Sequence, residues 1–369
     1  MTGEDRGLSL ADARLKATEA KALLRRGINP KEHREAERKQ AIAQRRQKEI
    51  SQISVETVAR DYIAVQSAAW SDPKHCKQWI STLETYVLPK IGDRPVGEIE
   101  TDDIELVLND IWTKIPETAS RVRGRLEKIF DFAASKGFRA GENPARWKGG
   151  LIHRLPPTSR LKRTRHHPAL PWKLLPSFVS ELRKNPSVSA VALLFCILNA
   201  SRSGEVRGAT WQEIDLDNLT WTIAAERMKA KREHRIPLSK QSVEILAQVE
   251  KLKRDDKGLV FPSSKGSGLT PLSDMALSQL VRGMNEVSDV SKMQWNDAYG
   301  RPIVPHGFRS TFRDWCEEAT TTPHAVSEAA LAHVVADKVE AAYRRTDLFD
   351  KRRVLMAAWG EYCWSGSAI

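Results

Sequence analysis

The chain is short of tyrosine, cysteine and long apolar runs, and each shortage excludes something. Among 369 residues there are five tyrosines and four cysteines. Cys76, Cys196, Cys316 and Cys363 lie far apart, with no CxxC pair and no Cys/His cluster at metal-ligand spacing, so they read as reduced core thiols. The best candidate for a membrane span, AVALLFCIL from Ala190 to Leu198, is about half the roughly 18–20 residues that cross a bilayer and reads as a buried helix. The N-terminus, MTGEDRGLSLADARLK, mixes acids with bases and has no apolar h-region, so no secretory signal is read there and a cytoplasmic protein without a membrane partner is expected. Nothing spells a P-loop, a dinucleotide-binding turn or a zinc site, and any chemistry is expected to run without cofactor or metal. No internal repeat or low-complexity tract is present.

Positive charge is in excess. Lysine and arginine number 59 against 47 acids, a formal net charge of +12 and a pI near 9.5, and the bases run along the whole chain rather than gathering in one tail. Such a balance points to a polyanionic partner, nucleic acid before an acidic membrane surface. With 41% hydrophobic residues there is material for two or three domains at roughly 100–200 residues each.

Residues 9–51 are charged and helical in period. LSLADARLKATEAKALLRRG carries Leu10, Ala13, Ala17, Ala20 and Leu24 at helical spacing and breaks at GINP; the following KEHREAERKQAIAQRRQKEI is nearly all polar, the pattern of a solvated connecting helix. From about Ser54 to Trp147, TVARDYIAVQ, KHCKQWISTLETYVLPKI, DDIELVLNDIWTKI and ETASRVRGRLEKIFDFAASKG form four helical segments joined by turns rich in Gly, Pro and Asp, which makes a compact bundle. Its Arg121, Arg123, Arg125 and Lys128 are either a phosphate-facing surface or the ordinary wet side of a helix. HRLPPTSRLKRTRHHPALP, from His153 to Pro171, is rich in proline and positive charge with few residues able to form a core, and reads as a linker lying along DNA. Beyond it the pattern is mixed: helices flank LTWTIAAERMKAKREHRIPL, two β-rich runs around a polar turn, the signature of a hairpin.

Several polar residues of this last part resist explanation as packing. In LNASRSGEVRGATW, Arg202 precedes Glu205 by three residues. AERMKAKREHR places Lys229 near the end of the first hairpin strand. PHGFRSTFRDW sets His306 and Arg309 three apart, on one face if helical. EAALAHVVADKVEAAYRRTDL, from Glu328 to Leu348, contains His333 and, ten residues on, Tyr343. Singly each has an ordinary reading. Tyr343 could be helix core, Arg202 with Glu205 an ion pair worth about 0.3–0.5 kcal/mol if exposed, His306 the residue that starts a helix, and His333 packing at an alanine-rich helix end. Lys229 and Lys231 would share a face in a strand, so periodicity does not choose between them.

The ordered set Arg, Lys, His-x-x-Arg, His, Tyr resembles that of the tyrosine recombinases, and within them the prophage and genomic-island integrases. SRSGEVRGATWQEIDLD is similar to the family's first arginine box, RMKAKREHRIPL to its lysine hairpin, and HGFRSTFRDW with LAHVVADKVEAAYRRTD to its second box; the likeness runs from about Ser54 onward and more faintly from Leu8. It implies a mainly α fold with a small β-sheet: a helical, SAM-like core-binding bundle (residues 53–150), a basic linker (151–172) and a mixed α+β catalytic domain (173–369), behind a remnant of an arm-binding module and charged linker helix (1–52). It implies cleavage and rejoining of DNA through a 3′-phosphotyrosyl bond to Tyr343, with Arg202, Lys229, His306, Arg309 and His333 catalytic and Lys229 the favoured lysine. The implied partners are double-stranded DNA at attachment core sites, further copies of the chain in a homotetramer, a host DNA-bending protein and an excisionase, with nucleoid association when bound to DNA.

The residue types suit that chemistry. Attack on a phosphodiester builds negative charge on the non-bridging oxygens, which two arginine forks can meet in place of a metal. A phenol with a reference pKa near 10 is a weak nucleophile at neutral pH and needs a base, here His306, while the departing 5′ oxygen needs a proton, here from the lysine.

Larger integrases that the chain resembles open with a small β-rich arm-binding module ending in a helix similar to LSLADARLKATEAKALLRRGINP. This chain starts almost at that helix, so a truncated module, an exposed stripe of Leu10, Ala13, Ala17 and Leu24 and a mobile first fifty residues are expected. Near the C-terminus, Leu355, Met356, Trp359 and Tyr362 form an apolar stripe that either docks on a neighbouring subunit or packs on its own domain. Two other functions are open: a catalytically impaired prophage-remnant DNA-binding protein or accessory factor, and a topoisomerase-like relaxing enzyme. The complete six-residue set argues against the first, and the absence of a long clamp beyond the bundle against the second.

Overall fold

The computed structural model describes residues 9–70, 73–161, 166–253, 255, 257–263, 270–286, 294–333 and 346–366, so Tyr343, with Arg344 and Arg345, lies outside the described residues. The chain divides into two compact units, residues 1–164 and 165–369.

The first unit opens with α1 (Leu10–Arg25) and α2 (Pro30–Ser51). Ser9 and Asn29 cap them, and Gly27 turns left-handed at φ 76° in the predicted GINP break. Neither helix buries a residue, and Leu10 and Leu24 stand 70% and 62% exposed. The four predicted segments then appear as α3 (Val55–Ser67), α4 (Pro73–Tyr86) with the short α5 (Leu88–Ile91), α6 (Thr101–Trp112) and α7 (Pro116–Ser135). Val58, Trp79, Leu83, Ile104, Leu108, Leu126, Ile129 and Phe130 recur at helical spacing and close the bundle core.

The segment read as a linker differs from expectation in having core residues. Leu151 and Leu155 are buried in the bundle core, and the Trp112 indole donates to Pro156 O at 2.8 Å just before α8 (Thr158–Leu161). At its far end Leu170 is buried in the second unit. A basic composition hid these anchors because one leucine per turn is enough to hold an irregular segment.

In the second unit α9 (Leu175–Arg183) precedes α10 (Val188–Leu198), whose residues from Ala190 onward are all buried. After α11 (Ser203–Arg207) comes a three-stranded antiparallel sheet, β1 (Ile214–Asp215), β2 (Thr220–Ile223) and β3 (His234–Pro237), in the order β1-β2-β3, with Trp221 opposite Ile236 and Ile223 opposite His234. The helices α12 (Lys240–Glu250), α13 (Ala276–Asn285), α14 (Gly307–Ala319), α15 (His324–Ala330) and α16 (Phe349–Trp364) complete it. Among the described residues no helix is long and apolar enough to cross a membrane.

Of the two readings of the C-terminal stripe, the structure takes the one within the chain. Leu355, Met356 and Trp359 are buried in the second unit's core; the Trp359 indole donates to Ile197 O at 2.9 Å and the Tyr362 hydroxyl to Trp172 O at 2.8 Å. The same helix buries Arg352 to 1% exposure. Its guanidinium donates to Asp347 O at 2.7 Å, to the Asp347 carboxylate at 2.8 Å and to Arg235 O. It thereby ties residues 346–348, which follow the stretch carrying Tyr343, to β3. Arg352→Met leaves the Asp347 and Arg235 carbonyls without this donor, the Asp347 carboxylate keeping only Arg235, and should lower unfolding free energy by about 2–4 kcal/mol. The exposed neighbour, as Arg353→Met, should cost under about 1 kcal/mol; urea unfolding of both variants checks this, and equal losses would overturn the anchoring role.

Candidate active site

Two helices end in the same way, and the candidate site is built on their ends. Beyond the C-cap Asn199 of α10, Ala200 turns left-handed at φ 45°; its N–H donates to Ile197 O and that of Ser201 to Cys196 O, both at 3.1 Å. Beyond the C-cap Leu331 of α15, Ala332 turns left-handed at φ 49°; its N–H donates to Ala329 O and that of His333 to Glu328 O, again both at 3.1 Å. These paired closures are Schellman motifs, in which the left-handed residue is usually glycine. Each turn delivers a predicted site residue, Arg202 after the first and His333 after the second.

Arg309, in the first turn of α14 and 6% exposed, joins the two turns. One terminal nitrogen donates to Ala200 O and the other to Leu331 O, and the second also lies 3.2 Å from His333 Nε2. Its main-chain acceptors are neutral, and among the described residues no carboxylate forms an ion pair with it. Burial and the nearby Arg202 pull its pKa down to about 10, which leaves a permanent cation at neutral pH.

Arg202 occupies the N-cap of α11. Its N–H donates to Glu205 Oε2 at 2.8 Å and its guanidinium to Oε1 at 2.7 Å. The exposed helix pair offered by spacing alone is therefore not what forms: Glu205 is 6% exposed and holds both main chain and side chain, while the Arg202 side chain stays 25% exposed.

His306 stands at the N-cap of α14, one turn before Arg309. Residues 166–170 cross this helix start: Val304 N donates to Pro168 O at 3.3 Å and the Thr311 hydroxyl to Leu170 O at 2.7 Å. A methyl group on Gly307 would come within 2.0 Å of Pro168 O, so only glycine admits the crossing. The crossing sets His167 edge-on to His306, ring centroids 4.7 Å apart at 69°. Partial desolvation, then the positive neighbourhood of His167, Arg309 and Arg202, lowers the His306 pKa to about 4, so the ring is neutral at pH 7 and keeps a lone pair for a proton.

Lys229 is not on a strand. β2 ends at Ile223, a 3₁₀ turn of Ala225–Arg227 follows, and Lys229 sits on the exposed turn before β3; the alternation argument for Lys229 and Lys231 therefore does not apply. Lys231, at φ 52°, turns its ammonium back to Glu226 O at 3.3 Å. No hydrogen bond or ion pair among the described residues joins Lys229 to the arginine–histidine cluster.

Three neighbours of the cluster were not singled out from sequence. Glu328 lies 3.0 Å from His333 Nδ1; its spacing of five is no helical period, and only the Schellman closure folds it back. His167 sat in a stretch read as linker. His234, at the start of β3, is hydrogen-bonded to the main chain of Ala330, and burial, then Arg352, Arg309 and Arg202, lower its pKa to about 4. The unfolded chain, with histidine near 6.5, binds a proton that folded His234 refuses down to about 4. Stability must therefore rise with pH across that window and fall as pH drops through it. Urea midpoints should decline from pH 7 to pH 5, and the decline should be shallower in His234→Gln; an unchanged slope would remove His234 as its source.

Comparison with known proteins bears on the family and the fold. Residues 55–150 match the model of the phage integrase central domain and residues 173–348 that of the phage integrase family. The integrase of Enterobacteria phage P4 is 28% identical over 371 residues, covering 96% of this chain and 77% of its own. The prophage integrase IntZ of Escherichia coli (strain K12) is 28% identical over 359 residues, covering 96% and 80%. A lambda integrase tetramer bound to a Holliday junction shares the fold at a TM-score of 0.57 and 16% identity, over 78% of this chain and 79% of that one.

Proposed function

This chain belongs to the phage integrase family and is a site-specific DNA recombinase of the tyrosine type, and on that premise we propose how its residues divide one round of cleavage and rejoining. The phosphate of a core-site strand enters between Arg202 and Arg309, whose remaining N–H groups meet the non-bridging oxygens as phosphorus becomes five-coordinate. The phenolic oxygen of Tyr343 attacks, and its proton passes to the neutral ring of His306. The bond from phosphorus to the 5′ oxygen breaks, and Lys229, on its exposed turn, gives that oxygen a proton. His333 donates to the phosphate beside Arg309. The 3′-phosphotyrosyl bond conserves the energy of the broken linkage, so the 5′ hydroxyl of a second strand restores a phosphodiester without a nucleotide.

The observation that carries this reading is the convergence of Arg202, His306, Arg309 and His333, from three separate stretches of sequence, around one buried guanidinium. Duplex DNA is the substrate this arrangement serves, and four copies on two duplexes are its working assembly, as in the lambda integrase tetramer on a Holliday junction. A host DNA-bending protein and an excisionase would act as accessory partners that set direction. The reading as a non-reacting DNA-binding remnant is not favoured, since mere retention on DNA requires no neutral histidine beside paired arginines.

A nicked suicide duplex carrying the attachment core should yield a covalent protein–DNA band that Tyr343→Phe abolishes while a gel shift persists. Arg202→Ala should slow single-turnover cleavage by roughly 10²–10³-fold with a much smaller change in Kd. A covalent band in Tyr343→Phe, or matched losses of cleavage and binding in Arg202→Ala, would overturn the assignment.

A further inference from the structure

The Schellman turn that ends α15 does more than place His333. It stacks Glu328 over His333 so that the pair is joined twice, by the His333 N–H on Glu328 O at 3.1 Å and by Glu328 Oε2 against His333 Nδ1 at 3.0 Å. The other carboxylate oxygen, Oε1, is in close contact with the guanidinium of Arg313. Arg313 is itself held, donating to Glu317 Oε1 through Nε at 3.0 Å and Nη2 at 2.8 Å, and approaching His324 Nε2 to 2.6 Å. Arg313 stands four residues after Arg309 on α14, so the two arginines share one face. One reaches the phosphate site directly, and the other fixes the acid behind the histidine.

We infer that Glu328 is a positioning residue of the recombination reaction: anchored by Arg313, it orients His333 through Nδ1 and supplies the negative charge against which that ring donates to the phosphate beside Arg309. The hydrogen bonds of the DNA-free site admit one tautomer. A guanidinium only donates, so Nε2 accepts in the 3.2 Å contact with Arg309; a carboxylate accepts, so Nδ1 carries the hydrogen. Donation to a phosphate oxygen requires a hydrogen on Nε2 in addition to the one on Nδ1, and a ring bearing both is cationic. Glu328 is the anion in contact with that ring. Outer partners of metal-binding histidines typically contribute about 10–100-fold to function, and the lower end of that range is the expectation carried over to His333.

The inference rests on His333 acting on the phosphate, and a double-mutant cycle separates the two claims. Single-turnover cleavage of the suicide duplex and gel-shift Kd would be measured for the wild type, Glu328→Gln, His333→Ala and the double variant. Glu328→Gln keeps a hydrogen-bond acceptor and removes the charge. It should slow cleavage by about 10-fold or more with Kd within about twofold, and its effect should shrink below about twofold once His333 is alanine. Wild-type cleavage in Glu328→Gln while His333→Ala is impaired would overturn the role of Glu328 alone, as would an undiminished loss in the double variant. Wild-type cleavage in His333→Ala would instead overturn the reading of the site. A second measurement needs neither DNA nor turnover: ¹⁵N-histidine spectra of the DNA-free protein should show His333 protonated at Nδ1, and the Nε2–H form would refute the arrangement. Arg313→Gln, which loosens Glu328 from behind, should repeat the cleavage defect in weaker form, and an unimpaired rate there would remove Arg313 as the anchor.

Discussion

Arg309 donates to carbonyls at the ends of two helices, α10 and α15, that are distant in sequence, and the candidate site has the shape it has because of those two bonds. Helix ends leave carbonyls without intrahelical partners. Here a guanidinium claims one from each turn, which brings the residues leaving those turns, Arg202 and His333, onto a common centre. A cation held by neutral acceptors is costly to bury, since nothing nearby cancels its charge in full. What compensates is partial, from Glu205 and Glu328 at longer range. The site is thus electrostatically complementary to an anion, and preorganisation of this sort stabilises charge developing in a transition state without reorganisation at the moment of reaction.

The neutrality of the histidines follows from burial first and from the same charge second. Desolvation is the larger cause at His306 and His234, and Arg309 and Arg202 add to it by opposing a further proton. In the proposed mechanism the arrangement that receives a phosphate thus also helps keep His306 unprotonated, and one electrostatic feature serves two requirements of phosphodiester cleavage.

Much of this was legible before any coordinates. Helix positions followed from apolar period and from breaks such as GINP, and the hairpin from its β-rich runs around a polar turn. The candidate residues Arg202, His306, Arg309 and His333 could be picked out by type and order because charged groups beside apolar helices need a reason. What was not legible depends on contacts that have no period. Glu328 meets His333 only through a helix closure, His167 meets His306 only because a glycine lets the chain cross α14, and Leu151, Leu155 and Leu170 anchor a segment whose composition looked free. Lys229 was placed on a strand because β-propensity of the hairpin extended past Ile223, whereas the chain breaks into a 3₁₀ turn there.

The two left-handed alanines have a consequence for stiffness. Glycine would adopt those backbone angles without strain but would also leave each turn many other conformations, in the folded state as well as the unfolded one. A methyl group narrows that choice. The left-handed well costs an alanine roughly 1 kcal/mol, yet once the surrounding bonds enforce it there are fewer neighbouring conformations into which the turn can drift. Ala200 and Ala332 therefore exchange some stability for definition of direction: the carbonyls that Arg309 reads are carried by hinges with little play, and the spacing between the two halves of the site is set by backbone stereochemistry as much as by packing.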